Sequence, residues 1–151
     1  QLLKAGQTVV VLERDRLGLG ESGLSAGHLS YALDERFSWL IRRHGRRGAE
    51  LAAQSHRQAI DTIEEIQRAE GIECEFKRVT GYLFLGLGDT LTTLEKELSA
   101  GQECGIKDLA LRPRIPLDFF DSGPCLEFKH QAQIHPVKVN LSKNSIRSIV
   151  T

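Results

Sequence analysis

The 151-residue sequence predicts an α/β plus α+β fold, in which part of a parallel sheet is joined to part of a mixed-sheet domain. Residues 8–12 form a continuous run of mostly β-branched side chains, which is typical of a strand buried on both faces. Residues 49–70 repeat apolar side chains at a spacing of three and four, which predicts a long amphipathic helix. Residues 125–134 alternate well enough to predict a further strand.

The first thirty residues predict a helix end, a strand and a loop. Residues 2–5 are helix-like, and Gly6 is predicted to end that helix in the left-handed conformation. Glu13 then stands at the carboxyl end of the predicted strand. Residues 17–30 are rich in glycine, serine and alanine, so we expect an irregular loop with a short helix beginning near Ser25.

The remainder of the chain predicts helices separated by strands. Asp34 is predicted to cap a helix that Gly45 ends, and Gly71 is predicted to end the long helix. The further predicted elements are, in chain order, a strand over 76–85, a helix from Asp89 to Gly105, a break at Pro113 and Pro116, the strand over 125–134 and a helix that opens at Pro136.

The composition narrows the class of partner. Twenty basic and twenty acidic residues give a net charge of zero, which argues against nucleic acid or an anionic membrane as partner. No apolar run approaches the roughly 20 residues needed to span a bilayer. Three separated cysteines indicate no disulfide framework, so we expect a reducing, cytoplasmic location. Cys125, His130 and His135 lack the close cysteine pair typical of zinc sites, and no metal centre is predicted.

The segment from Gly6 to Glu13 carries the first functional signal. In Rossmann-like dinucleotide-binding units, an acidic residue at the end of the second strand accepts hydrogen bonds from a ribose hydroxyl, about 20 residues after a glycine-rich phosphate loop. That distance places the loop before Gln1, and the sequence contains no methionine. We therefore expect a fragment that lacks the N-terminal glycine-rich loop. The alternative is a solvated carboxylate at the end of an ordinary strand.

Several short motifs strengthen the dinucleotide interpretation through their order and spacing. They are Val-Leu-Glu-Arg at 11–14, Gly-Leu-Gly-Glu-Ser-Gly-Leu-Ser-Ala-Gly-His-Leu at 18–29, Ala-Ala-Gln-Ser-His at 52–56, Ala-Ile-Asp-Thr-Ile-Glu at 59–64, Gly-Ile-Glu-Cys-Glu-Phe at 71–76, Gly-Tyr-Leu-Phe at 81–84 and Gln-Ala-Gln-Ile-His-Pro at 131–136. Together they resemble the FAD-dependent oxidoreductases of the glycine oxidase and D-amino-acid oxidase superfamily. The likeness is greater to members with a C-terminal Rieske domain, and it runs from Gln1 to about Lys138.

The resemblance implies FAD as the cofactor and an amine or amino acid as the substrate, oxidised by hydride transfer to the flavin. It implies that Glu13 holds the adenosine ribose and that Arg14 lies near the adenine. Four residues are implied to run along the pyrophosphate and toward the flavin ring, namely Ser25, Ala26, Gly27 and His28. The implied organisation is a partial FAD-binding domain over 1–45, a partial substrate domain over 46–122 and a return segment over 123–151. No catalytic residue is assigned.

Two alternatives remain open. The chain is a decayed or truncated product that acts only as an interaction module, or it is a fragment of an NAD-type reductase, since a ribose carboxylate suits both nucleotides. Without the glycine-rich loop we expect the chain alone to be inactive, and an open sheet edge predicts self-association. His56 is interpreted as a half-buried helix residue, and the arginines between 42 and 47 as a solvated helix end.

Overall fold

A computed structural model describes residues 2, 5–10, 12, 18 and 20–140, with Asn140 described in its backbone only. Its elements are, in chain order, α1 (Glu21–Leu24), β1 (His28–Leu29), α2 (Phe37–Ala69), β2 (Lys77–Phe84), α3 (Leu91–Glu103), β3 (Ala110–Arg112), β4 (Cys125–Gln133) and α4 (Pro136–Asn140). The predicted mixture of helices and strands is confirmed.

Strand β4 is the centre of the sheet. β2 pairs along one edge of β4, while β1 and β3 pair with it near opposite ends, and all three pairings are antiparallel. Between Val79 and Gly81 the register shifts, so that two residues of β4 face Thr80. One of these two is His130, which has a φ of 62°. This β-bulge brings side chains three positions apart in β4 to one face of the sheet.

Helices α2 and α3 pack together and against the sheet, and the core lies between them. Its largest fully buried side chains include Tyr31, Phe37, Leu94, Ile106 and Phe128. Gly45, with φ 71°, interrupts α2, so the prediction that one helix ends there and a second follows is confirmed. Gly71 has φ 63° and ends the second part as predicted.

Two predicted helix caps were wrong. Arg36, not Asp34, is the N-cap of α2, and a carboxylate from α3 supplies the acceptor that Asp34 was expected to provide. Thr90, not Asp89, is the N-cap of α3, because the Asp89 carboxylate binds the Arg36 guanidinium instead. At α2 a partner distant in sequence replaces the local cap, whereas at α3 Thr90 forms a local capping box with Thr93.

The buried strand predicted over residues 8–12 is not confirmed by the part of this segment that the structure describes. Residues 7–10 and Leu12 form no strand, and Leu12 is 91% exposed. A strand of this kind is buried only when neighbouring strands and helices cover both of its faces, and the four strands of the described sheet all lie elsewhere. Gly6 nevertheless has φ 75°, and Gln7 N–H donates to Leu2 C=O at 3.0 Å, as expected at a helix end.

The ionisation of Tyr31 makes the stability of the folded protein depend on pH in the alkaline range. Its side chain is fully buried, and its hydroxyl donates to Lys129 C=O at 2.7 Å. Burial, aided by the Asp108 carboxylate, raises the pKa of Tyr31 from 10.0 to about 12. The stabilisation is therefore present below pH 10 and is lost as the pH rises to about 12, because only the unfolded chain ionises in that interval.

We expect Tyr31→Phe to remove this pH dependence. Because the variant lacks the hydrogen bond to Lys129 C=O, its free energy of unfolding at neutral pH falls by about 1 kcal/mol. Above pH 10, however, its stability falls less steeply than that of the wild-type protein. Urea unfolding at a series of pH values measures both effects. Tyr82→Phe is the comparison variant, because it keeps Tyr31. Burial also raises the pKa of Tyr82, but this ring is only partly buried, so its removal should flatten the alkaline curve less. Parallel alkaline curves for wild type and Tyr31→Phe would contradict the prediction.

Candidate functional site

The small-residue loop at 20–28 is fastened to the end of β4. Gly27 C=O accepts from Ile134 N–H at 2.8 Å, and His28 pairs with Gln133 across the β1–β4 ladder. Gly27 has φ 67°, and a Cβ added there would lie 2.0 Å from Ile134 O. Only glycine permits this approach of two backbone segments.

Two earlier glycines close the loop upon itself. A Cβ on Gly23 would lie 1.8 Å from Gly18 O, and one on Gly18 would lie 3.4 Å from Val137 in α4. Gly18, Gly20 and Gly23 have the spacing of a dinucleotide loop, but they follow Glu13 instead of preceding it. In the described structure, two of these glycines serve packing between the loop and α4.

α4 is held from the other side by the segment that joins α2 to β2. His135 N–H donates to Cys74 C=O at 2.7 Å, and the Lys138 ammonium forms an ion pair with the Glu75 carboxylate. The hydrogen bond from Lys138 lowers the pKa of Glu75. Residues 134–138 thus join the glycine-containing loop to the segment between α2 and β2.

The structure brings together four of the six residues implied as cofactor ligands. Ser25, Ala26 and His28 are exposed, whereas Gly27 is buried. The Ser25 hydroxyl accepts from Gly27 N–H at 3.2 Å. The helix expected to begin near Ser25 instead ends there, because Ser25 is extended, with ψ 139°. The other two predicted ligands, Glu13 and Arg14, lie outside the described residues.

Beside this loop lies a cleft of about 380 Å³ that the sequence did not predict. His28 lines it together with residues from β2, β4, the start of α2 and the middle of α3, among them Arg36, Tyr82, Glu97, Phe128 and Gln131. The β4 bulge explains why Phe128 and Gln131 share this cleft. No local sequence signal could have identified Gln131, because its position depends on that bulge.

Two carboxylates organise the polar side of the cleft. Glu97 is 2% exposed and accepts from Phe37 N–H at 2.7 Å and Ser38 N–H at 3.1 Å, at the start of α2. Asp89 binds the Arg36 guanidinium at 2.6 Å, and this hydrogen bond lowers the pKa of Asp89. These interactions fix the N-terminus of α2 over the sheet.

A second group of charges lies behind the sheet bulge. Arg78 binds Asp61 and Glu64, each at 2.6 Å, and Arg57 lies over the Tyr31 ring at 5.1 Å. Because each guanidinium is already engaged, this group is a structural network. In the part of the chain that the structure describes, no three His, Cys, Asp or Glu side chains are placed to hold a metal ion.

The remaining candidate residues have local explanations. His56 is exposed rather than half-buried, and its Nδ1 lies 2.9 Å from Ala52 O in the same helix. The arginines at 42, 43, 46 and 47 are exposed, which agrees with their interpretation as a solvated helix end. No helix within the described ranges is both long and apolar enough to cross a bilayer.

The comparison with known families identifies the class of protein. The chain belongs to the FAD-dependent oxidoreductases of the DAO family, whose family model matches residues 1–142. The match covers the glycine-containing loop, the whole sheet and α4. The family predicted from the short motifs is therefore confirmed, and FAD is the cofactor of that family.

Three curated proteins are similar to this chain in sequence. The chain is 29% identical over 139 residues to YhfW of Bacillus subtilis, which is named as a Rieske 2Fe-2S iron-sulfur protein. It is 33% identical over 101 residues to OrdL of Haemophilus influenzae, named as an oxidoreductase, and 27% identical over 149 residues to gamma-glutamylputrescine oxidoreductase of Escherichia coli.

These matches cover 91%, 64% and 94% of this chain, but 27%, 23% and 34% of the relatives. The chain thus spans about a quarter to a third of their length. No solved structure matches the chain significantly.

Proposed function

We propose that this chain forms the flavin-facing part of an oxidoreductase that oxidises an amine or amino acid. The supporting observation is the loop of residues 20–28, which is fastened by Gly27 to Ile134 and leaves Ser25, Ala26 and His28 exposed beside a cleft. Membership in the FAD-dependent family and the name of the gamma-glutamylputrescine relative support the cofactor and an amine substrate.

The residues present fit such a cofactor. The loop offers exposed small side chains, so a flat or anionic group can approach the backbone. Its one buried residue, Gly27, fixes the loop from behind and does not obstruct that surface. When bound, FAD supplies the acceptor for a hydride equivalent from the substrate carbon.

The roles of the chain's own residues follow from their positions. His28 projects from β1 at the junction of loop and cleft, where its imidazole can donate a hydrogen bond to the flavin edge. Ser25 turns the loop through its contact with Gly27. Glu13 and Arg14 are proposed to bind the adenosine portion, within a partial Rossmann-like FAD-binding domain over residues 1–45.

In the proposed domain division, residues 46–122 form the partial substrate domain and residues 123–151 form the return segment. In support, β4 of the return segment pairs with β1 of the first part and with β2 of the second. A site at this junction would draw its cofactor side and its substrate side from different parts of one sheet. The proposed location is the cytoplasm. Self-association through an exposed sheet edge is also expected, and light scattering tests it.

We expect the chain by itself to bind FAD weakly and to show no amine oxidation. A nanomolar FAD site needs a binding free energy of about −12 kcal/mol. Three or four charge-assisted hydrogen bonds to the pyrophosphate, at about 1.5–3 kcal/mol each, supply about 5–10 kcal/mol of that free energy. In the described loop, the Gly27 N–H is already engaged by Ser25. When the chain is mixed with FAD at high micromolar concentration, the absorption spectrum of FAD should stay unchanged.

Nuclear magnetic resonance at millimolar FAD tests the site directly. The backbone amides of residues 25–28 should shift, and His28→Ala should reduce these shifts while His56→Ala leaves them unchanged. Shifts confined to other parts of the chain, or none at millimolar FAD, would refute the proposed cofactor surface. Tight binding with a quenched, shifted spectrum would refute the expectation of weak binding.

A further inference from the structure

Strand β2 has one unpaired edge in the part of the chain that the structure describes. β4 pairs with its other edge along the whole strand, and β1 and β3 lie on the far side of β4. Apart from this ladder, the backbone of β2 forms no hydrogen bond to any described residue. Every second N–H and C=O group of β2 is therefore open to a further strand.

This edge lacks the features that keep edge strands from pairing. Edge strands in native proteins are usually short, or carry proline, a bulge or an inward-pointing charge. β2 has eight residues and no proline, and the bulge of its ladder lies in β4. Its two charged residues, Lys77 and Arg78, stand at one end, and Arg78 is bound by Asp61 and Glu64. Residues 79–84 thus form an uncharged edge.

The sequence of β2 is compatible with pairing to a second copy of itself. In an antiparallel pair, opposite residues share a face, so a two-fold axis through the sheet places one residue opposite its own copy. Thr80 and Gly81 are the central candidates. With Thr80 on the axis, Arg78 faces Tyr82 of the second copy, and with Gly81 there it faces Phe84. Neither register opposes like charges, which would destabilise the pair.

The unpaired edge also borders the cleft beside His28. Gly81, Tyr82 and Leu83 belong to β2 and line that cleft. Paired strands lie about 4.7–4.9 Å apart, so a strand added to this edge runs along the cleft. A second copy would therefore form part of the border of each cleft, with the two clefts on either side of the axis.

We propose that this chain forms a symmetric dimer through antiparallel pairing of β2 with β2 of a second copy, and that each copy borders the cleft of the other. β1 and β3 have only two and three residues, so they offer fewer backbone groups to a partner. The expected self-association thereby receives a specific edge and symmetry. The pairing does not depend on the flavin surface, and only the role of the cleft rests on the proposed function.

Amide hydrogen exchange and sedimentation equilibrium of the full 151-residue chain, both at rising protein concentration, test the pairing. We expect a monomer–dimer equilibrium. Alternate amides of residues 78–84 should exchange more slowly as the dimer forms, because every second N–H of a strand points to the same edge. The amides of Ala110–Arg112 in β3 should exchange at the same rate at all concentrations.

Thr80→Lys tests the edge by charge repulsion. Thr80 is exposed, and the substitution places two ammonium groups close together across the axis. The dissociation constant should rise about tenfold, and about 1 M salt should reverse part of this rise. Thr92→Lys is the matched control, because it makes the same change at an exposed position of α3 and should leave the constant unchanged.

Three results would overturn the β2 dimer. Slow exchange of residues 78–84 at every concentration would mean that the edge is already paired within the chain. Protection that appears only in β1 or β3, or equal effects of the two lysine substitutions, would place the interface elsewhere. A monomer up to about 1 mM would exclude the expected self-association as well. The FAD titration is separate, so failure of the dimer is distinguished from failure of the flavin surface.

Discussion

Gly27→Ala should destabilise the protein by about 2–5 kcal/mol, the sum of backbone strain and overpacking. Gly27 has φ 67°, a conformation that L-residues adopt at a cost of about 1–2 kcal/mol. The new Cβ would also lie 2.0 Å from Ile134 O and 3.1 Å from Pro136 Cδ. Because the first of these atoms belongs to the backbone, a change of rotamer cannot relieve the contact.

Gly88→Ala separates the two causes. Gly88 also has a positive φ, of 86°, but an added Cβ would meet nothing within 4 Å. We therefore expect this control to lose only about 1–2 kcal/mol. Urea unfolding measures both variants. If the two lose the same amount, the close approach of Gly27 to Ile134 does not contribute, and the proposed fastening of the loop is wrong.

Glu97→Gln should cost about 2–3 kcal/mol, which corresponds to a fall in melting temperature of roughly 5–10 °C. The carboxylate accepts from two adjacent N–H groups at the start of α2, and an amide can accept from only one of them. The amide nitrogen would then face a backbone N–H that no longer has an acceptor. Glu97→Ala removes both bonds and should cost more.

Glu95→Gln is the matched control for this substitution. Glu95 lies on the same helix and is exposed, so the same chemical change should alter the stability by less than about 0.5 kcal/mol. Thermal unfolding followed by circular dichroism gives all three values. Glu97→Gln with the stability of the wild-type protein would show that the bonds to Phe37 and Ser38 do not stabilise α2.

Local sequence was sufficient for the helix ends at which glycine stands, because these depend on single-residue conformation. Glycine adopts positive φ without strain, and so Gly45, Gly71 and Gly105 end helical segments where they were expected to. The strands over 77–84 and 125–133 follow from their patterns of apolar and polar side chains. The order of the short motifs also identified the family.

Contacts between residues distant in sequence decided the features that the local sequence pattern could not predict. Residues 8–12 have the composition of a buried strand, yet a strand is buried only when neighbours cover it, and the described residues there are exposed. Asp34 has the side chain of a helix cap, but the acceptor at the start of α2 is Glu97, sixty residues along the chain from Phe37. Burial and pairing are properties of the assembled fold.

By itself, the sequence determined where the backbone turns and which family the chain belongs to, because glycine conformations and short motifs are local. Only the tertiary structure decided that Gly27 is buried against Ile134 and that Gln131 lines a cleft beside His28. For Gln131, the physical reason is the extra residue in β4 at the His130 bulge. It changes which side chains share a face, and no pattern of alternating residues encodes that change.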